Sequence, residues 1–307
     1  MIGPSSSPGR LALERFLRDR MAVAGLVVLV LAALAAGIGP LLLGIDPDRA
    51  GDLALAPPGA AHWMGTDIHG RDLLARVLIG TRISLAVGAV GALVSLMIGV
   101  AWGVVAGAAG GRTDAWLMRV VDGLQALPTV VWVMLGMTLF EAGLAGRFAQ
   151  RWPDALPVLR LAAMMICLGS VSWLTMARVI RAQTLVLRQR PFLLAATALG
   201  VPPVRWFLRH LLPNLSGVIL VYLTLSVPSV VLYESFLSFL GLGVRPPQAS
   251  LGSLIADGAS QLNPIRVRWW LLVFPAGLMA LLLAALNSVG AGLRAAFEPR
   301  RVDGLSA

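Results

Sequence analysis

Six long apolar runs decide what this chain can fold into. They fall at approximately 21–43, 83–109, 119–140, 157–177, 214–240 and 269–291. A helix that crosses a bilayer needs about 20 mainly apolar residues, and every run reaches that length. The runs are continuous and do not alternate with period two, so they predict helices rather than barrel strands. Composition agrees: 58% of the 307 residues are hydrophobic and only 13% are charged, against roughly 45–50% and about 25% in a soluble domain. The expected fold is all-α, a polytopic membrane protein with six transmembrane helices. The first run follows Arg10, Arg15, Arg18 and Arg20, as a signal peptide would. Its apolar core, however, continues past Ala33, Ala35 and Ala36 to Leu43, well beyond the roughly 7–15 residues of a signal core. It reads as a retained span.

Arginine placement orients the spans. Alternating segments divide into one set (1–20, 110–119, 178–212 and 292–307) with 15 arginines and another (44–82, 141–160 and 241–268) with 10. The richer set belongs inside, which puts both termini in the cytoplasm. Segment 44–82 also carries Asp46, Asp48, Asp52, Asp67 and Asp72, in keeping with an external face. The expected layout is a cytoplasmic segment 1–20, a first helix 21–43, an external (periplasmic) segment 44–82, a core 83–291 with five spans and the cytoplasmic loop 178–212, and a cytoplasmic tail 292–307. The net charge of +10 is explained by arginines that border spans and meet anionic lipid headgroups. No separate basic or aromatic-studded polar domain is present to hold nucleic acid.

Several chemistries are excluded. All 25 basic residues are arginine, so there is no Walker A phosphate loop and no Schiff-base lysine. The one cysteine, Cys167, sits inside an apolar run and can form neither an internal disulfide nor a Cys-x-x-Cys metal pair. The three histidines are His62, His69 and His210. They form no His-Glu-x-x-His helix, and His62 and His69 near Asp67 and Asp72 match no standard ligand spacing. No Gly-x-Ser-x-Gly elbow is present. No catalytic set and no metal site are expected, and no cofactor bound by this chain.

Within the spans, Gly99, Gly103 and Gly107 share one helix face and predict close approach of a neighbouring helix. That helix is expected to end at Gly110-Gly111, with Arg112-Thr113-Asp114 as a polar turn. Pro128, Pro228 and Pro275 lie in later runs, where proline kinks a helix. Glu234 is the one carboxylate well inside an apolar run. Because an intramembrane acid is costly, it is a candidate for the translocation path or a gate, set against a structural hydrogen bond near the outer interface. Segments 44–82, with Pro57-Pro58, and 241–268, with Gly241-Leu242-Gly243 and Pro246-Pro247, are long enough to form an external docking surface.

Loop 178–212 holds Arg178, Arg181, Arg188, Arg190, Arg205 and Arg209 and no carboxylate. Residues 192–199 predict a short helix with Gly200 as its left-handed stop. Pro202-Pro203 can open a second helix, expected from Val204 to Leu212 and ending at Pro213. Two short helices at an angle form a knob. Ala195 and Ala196 keep it slim enough to enter a groove on another protein, and the arginines can meet acids on that partner or on lipid.

At these residues the chain resembles the permeases of binding-protein-dependent ABC importers. Their EAA loop is matched at Ala195, Ala196, Gly200, Leu212 and Pro213, with Leu194 in place of the glutamate and His210 at a usually hydrophobic position. His62-Trp63-Met64-Gly65-Thr66-Asp67 with Gly70-Arg71-Asp72 resembles an external motif of the C-type subunits of peptide permeases. The stretch from Tyr233-Glu234-Ser235-Phe236 to Gly243 resembles the end of their fifth span, in the form of the oligopeptide branch. Asp257-Gly258 and Gly292-Leu293-Arg294 also match. The resemblance implies a type I ABC importer permease fold (MetI-like) in the cytoplasmic (inner) membrane, moving peptides. It also implies a second permease subunit, two ATP-binding subunits that carry ATP and Mg, and an external solute-binding protein. Dipeptides, a nickel chelate or another solute are the alternatives as cargo. A proton-coupled secondary transporter using Glu234 is a more distant one. With this topology a tag placed after Ala307 is cytoplasmic, and its cleavage by protease added outside intact cells would reverse the assignment.

Overall fold

The computed structural model describes residues 8–47, 49–244, 246, 248–263 and 266–297. Asp48, Pro247, residues 1–7 of the N-terminal segment and residues 298–307 of the expected tail lie outside them. The chain opens with a short amphipathic helix, α1 (Pro8–Arg18), and Asp19 then caps α2 (Arg20–Leu43). Its carboxylate accepts the amides of Met21 at 3.0 Å and Ala22 at 3.2 Å. The first run is a helix packed at its start, and α1, whose Ala12 and Phe16 are buried beside Ala22 and Ala296, was not foreseen.

The second span, α3 (Leu73–Ala109), starts ten residues before the apolar run that announced it. Asp72 Oδ1 caps Ala75 N at 3.1 Å, and Arg76 and Thr81, polar enough to read as loop, are buried in the helix. Its 37 residues span about 55 Å at 1.5 Å per residue, well beyond a hydrocarbon core about 30 Å thick. The expected polar turn at 112–114 is helical. The break falls at Gly110 and Gly111, both at positive φ (66° and 55°), and α4 (Gly111–Gln125) begins at once, with Asp114 buried in its first turn.

The 119–140 run also divides. Pro128 does not kink a helix but separates two, because it lacks an amide donor and turns the residue before it away from helical geometry. From there α5 (Thr129–Phe140) continues through a π turn, Glu141–Ala145, into α6 (Gly146–Arg151). Pro228 and Pro275 do stay within helices. The fourth span, α7 (Leu156–Arg188), takes in the first eleven residues of the expected loop. It leads to α8 (Pro191–Ala198), α9 (Pro203–Arg205), a π turn at Trp206–Leu211 and the fifth span, α10 (Leu212–Phe239). After the short α11 (Leu251–Ser260) and a hairpin of two-residue strands, β1 (Leu262–Asn263) and β2 (Arg266–Val267), α12 (Trp270–Phe297) is the sixth span.

A seam of glycines joins α3 to α7. A Cβ on Gly99 would stand 2.6 Å from Met176 Cβ, one on Gly103 2.5 Å from the Ala177 carbonyl oxygen, and one on Gly107 2.7 Å from Thr184 Cβ. At the far end, a Cβ on Gly169 would stand 2.6 Å from the Gly91 carbonyl. Partner numbers rise together, so the two helices run in the same direction, as second and fourth spans must. In a bilayer, where apolar burial does not drive association, such close backbone approach maximises dispersion contact. Gly88 and Gly91 abut Val227, Val230 and Val231 of antiparallel α10, while Gly25 of α2 lies against Ala285 of α12. Gly103→Leu, which forces bulk into the seam, should lower the melting temperature in detergent or prevent accumulation in the membrane, since overpacking costs about 1–3 kcal/mol or more. Gly143→Ala, with nothing within 4 Å, should be neutral. Equal melting of both variants would show that the seam is not tightly packed.

Candidate functional site

Residues 191–213 form a knob built on the end of that seam. Pro191 opens α8, and Gly200, at φ 69°, closes it. The turn is fixed by Gly200 N donating to Thr197 O at 3.0 Å and Val201 N to Ala196 O at 3.1 Å, which satisfies carbonyls that a helix end would leave open. Leu193 and Ala196 point inward. Leu193 packs with Leu211, Leu215, Val100, Val104, Met176 and Ile180, so the knob shares one apolar cluster with α3 and α7. The outer face carries Phe192, Leu194, Leu199, Val204 and Leu208, all exposed, with Leu199 at 83%. Ala195, Arg190, Arg205 and Arg209 are also exposed.

The knob differs from expectation in two respects. The helix that opens at Pro203 does not end at Pro213. It passes through the π turn into α10, because the wider turn accommodates a residue that donates no amide and would clash with a regular helix. Leu212 is half-buried and Pro213 exposed, and the deep anchor is their neighbour Leu211. His210 is half-buried, and its carbonyl accepts Asn214 Nδ2 at 2.6 Å. Three of the six arginines are also engaged within the chain rather than offered outward. Arg178 meets Asp122 at 2.6 Å, and Arg181 grips both oxygens of Asp114, the Nη2 contact at 2.6 Å. Arg188 donates to the carbonyls of Gly107 and Ala108 at 3.1 Å, capping α3. These bonds tie α7 to both sides of the Gly110 break.

The opposite end of the bundle gathers the other motif residues. Thr66 is fully buried; its hydroxyl donates to Leu53 O at 2.6 Å and accepts Ala56 N at 2.8 Å. Asp67 accepts the amides of His69 and Arg71 at 2.8 and 2.9 Å and Arg71 Nε at 2.7 Å, with Arg76 Nε at 3.5 Å. Asp72 caps α3 and meets His62 Nδ1 at 2.8 Å. Gly65 and Gly70 hold positive φ where the backbone passes Trp270 and Gly51. The motif is therefore a knot that fastens the 44–72 segment to the start of α3 and α12, leaving Trp63 66% exposed. Among the described residues, no three His, Cys, Asp or Glu side chains converge on a metal position.

Glu234 lies nearby and is fully buried. Ser238 donates to it at 2.7 Å, Ser84 at 3.2 Å and Ser235 at 3.3 Å. Ser84 in turn accepts Leu251 N at 3.1 Å, and Ser238 contacts Ser250 at 3.3 Å. The carboxylate thus clasps α3, α10 and α11 together. None of these serines stood out in the sequence, because a lone serine in an apolar run carries no periodic signal. Beside the clasp, a cavity of about 250 Å³ opens between α5, α7 and α10, with the Glu141–Arg160 pair (2.9 Å) and Met137, Met164 and Leu237 in its wall.

Six apolar helices, a surface knob rooted in two of them and fastened loops at the other end define a multi-pass membrane protein of the transport-permease class. Residues 99–303 match the profile of the binding-protein-dependent transport system inner membrane components, and residues 7–58 match the N-terminal TM domain of oligopeptide transport permease C. The chain belongs to this family of binding-protein-dependent inner-membrane transport components. It is 41% identical over 292 residues to the oligopeptide transport system permease protein OppC of Escherichia coli, covering 94% of this chain and 90% of that one. With OppC of Haemophilus influenzae it shares 39% identity over 292 residues, 94% of this chain and 88% of the other. With the dipeptide transport system permease protein DppC of Bacillus subtilis it shares 38% over 301 residues, 97% and 87% of the two chains.

The knot and the clasp make a mechanical prediction. Asp67→Ala removes the acceptor of a buried charged cluster, a loss worth several kcal/mol. In detergent-purified protein, limited proteolysis should then cut the 44–72 segment far faster than in the parent, whereas Trp63→Ala should not change the pattern. Unaltered cleavage of the Asp67 variant would show that the segment is held by something else.

Proposed function

We propose that this chain is the permease subunit of an ATP-driven importer of peptides, most specifically oligopeptides, and that residues 191–213 receive the ATP-hydrolysing partner. The observation that carries the docking role is the two-sided knob: Leu193 and Ala196 are buried against the span bundle while Phe192, Leu194, Leu199, Val204 and Leu208 are exposed beside Arg190, Arg205 and Arg209. Such a face suits a partner with an apolar groove rimmed by acids. Leu194, where the family carries glutamate, makes this contact apolar instead of charged. The cargo assignment is supported by the relatives named as oligopeptide permeases along 94% of the chain.

In this reading both termini and the knob face the cytoplasm. The 44–72 and 241–269 segments meet an external solute-binding protein, with Trp63 on the offered surface. A second permease subunit completes the path, and two ATP-binding subunits hold ATP and Mg. ATP stabilises one arrangement of the complex over the other, which is how its binding energy enters the cycle. The knob passes the displacement to α3 and α7, with which it shares an apolar cluster. Glu234 acts at the gate: it holds α10 and α11 against α3 at the external end, and it lines none of the cavities described above.

The reading is tested with the chain reconstituted in vesicles beside its permease, ATPase and binding-protein partners. ATP should drive uptake of labelled oligopeptide. Gly200→Val strains a left-handed residue by about 1–2 kcal/mol yet meets no neighbour within 4 Å inside the chain. The variant should insert normally and hydrolyse ATP, but uptake should fall about tenfold or more, a coupling loss of ~1.4 kcal/mol or greater. Gly200→Asn, which tolerates the same backbone, should recover most of it. Full uptake with valine would remove Gly200 from the coupling path, and uptake driven by a proton gradient alone would overturn the importer reading.

A further inference from the structure

One face of the spans is chemically unlike the others. Beyond Arg20 the exposed side of α2 is apolar, with Leu26, Val30, Leu31 and Leu34. Between α7, α10 and the α4–α5 turn, by contrast, lies an open groove of about 320 Å³ in which a row of hydroxyls runs among leucines and a valine. Tyr222, Ser226, Ser229 and Tyr233 recur at intervals of four, three and four residues, the spacing that puts side chains on one helix face. Thr175 of α7 faces them across the groove. Thr175 and Ser229 are exposed and lie well inside their spans, while Tyr233, 37% exposed, lies toward the external end of α10. Ser226 donates to Tyr222 O at 2.7 Å. Among the described residues, the hydroxyls of Thr175, Tyr222, Ser229 and Tyr233 have no hydrogen-bond partner. Hydrocarbon cannot satisfy them, so this face does not meet lipid.

We propose that the groove is this subunit's lining of the substrate path and that it binds the main chain of an extended peptide. The assignment rests on the peptide-import reading and adds the chemistry of recognition. A hydroxyl both donates and accepts, and each peptide residue other than proline offers one donor and one acceptor on its backbone. From Tyr222 to Tyr233 the stripe rises about 16 Å, the length of about five residues in extended conformation. The lining contains no acid and no base, so it favours no particular substrate side chain. Several weak, exchangeable contacts also let a substrate leave as readily as it enters.

The assembled transporter carrying Cys167→Ala, which removes this chain's only cysteine, gives a background for Ser229→Cys, Thr175→Cys and, as a lipid-facing control, Val30→Cys. A membrane-impermeant maleimide should label the first two and not the third. Pentaalanine should slow that labelling about tenfold at a concentration ten times its dissociation constant. Pentapeptides rich in glutamate or lysine should protect equally, and a depsipeptide with ester links in place of amides should protect little. Tyr233→Phe, which deletes one hydroxyl and keeps the ring, should raise KM for pentaalanine uptake severalfold. Absence of labelling would make the face a packing surface for the second permease. Labelling without protection, or an unchanged KM, would make it a solvated cleft; each result overturns the assignment. If the unmodified complex takes up no peptide, the import reading itself fails. If uptake proceeds and the cysteines are unprotected, only the groove is wrongly assigned.

Discussion

The absence of side chains along one edge of α3 is the constraint on which the rest of the bundle depends. With Gly99, Gly103 and Gly107 laid on Met176, Ala177 and Thr184, and Gly169 on the Gly91 carbonyl, α3 and α7 approach at backbone distance over most of their shared length. Two helices so joined cannot slide without forcing a methyl or a carbonyl into the other backbone. The α10 span and the knob are positioned against this pair, while α12 packs on α2, α10 and α11. The α10 helix rests on Gly88 and Gly91, and the knob packs Leu193 and Leu211 with Val100 and Val104 of α3 and Met176 and Ile180 of α7. The clasp on Glu234 reaches Ser84 on the same α3.

Charge is used at the ends of this pair and kept out of its middle. Arg188 caps α3 at Gly107 and Ala108, and Arg181 holds Asp114 just beyond the Gly110 break. At the other end Asp67 draws in Arg71 and Arg76. Each cluster sits toward an end of the pair, so the charged groups find hydrogen-bonding partners outside its apolar middle. In the importer reading proposed above, this bundle, braced at both ends, carries a push on the knob to α3 and α7 together.

The spans were legible because an uninterrupted apolar run has few other outcomes, and the left-handed stop at Gly200 because glycine there costs least. What escaped is equally physical. The first ten residues of α3 were hidden by Arg76 and Thr81: the acid beside Arg76 is Asp67, outside the helix, and Thr81 turns its hydroxyl back onto Val77 O within it. The π turn before Pro213 carries no composition of its own, so the proline read as an end. Arg178, Arg181 and Arg188 looked outward-facing because the carboxylates that claim two of them lie more than fifty residues away, Asp122 and Asp114. The serine cradle of Glu234 and the hydroxyl stripe on α10 became visible only when helices were set side by side.

The central claim is that the knob and the α3–α7 pair move as one lever. Spin labels at Leu199→Cys and Val105→Cys, both exposed positions, can be placed in a Cys167→Ala chain within the working complex. Pulsed electron resonance then measures the distance between them without nucleotide and with ATP trapped. The account predicts one narrow distance that stays the same in both states while the complex remains competent for peptide uptake. A second distance appearing with ATP would mean that the knob swings on its own, and the lever would have to be abandoned.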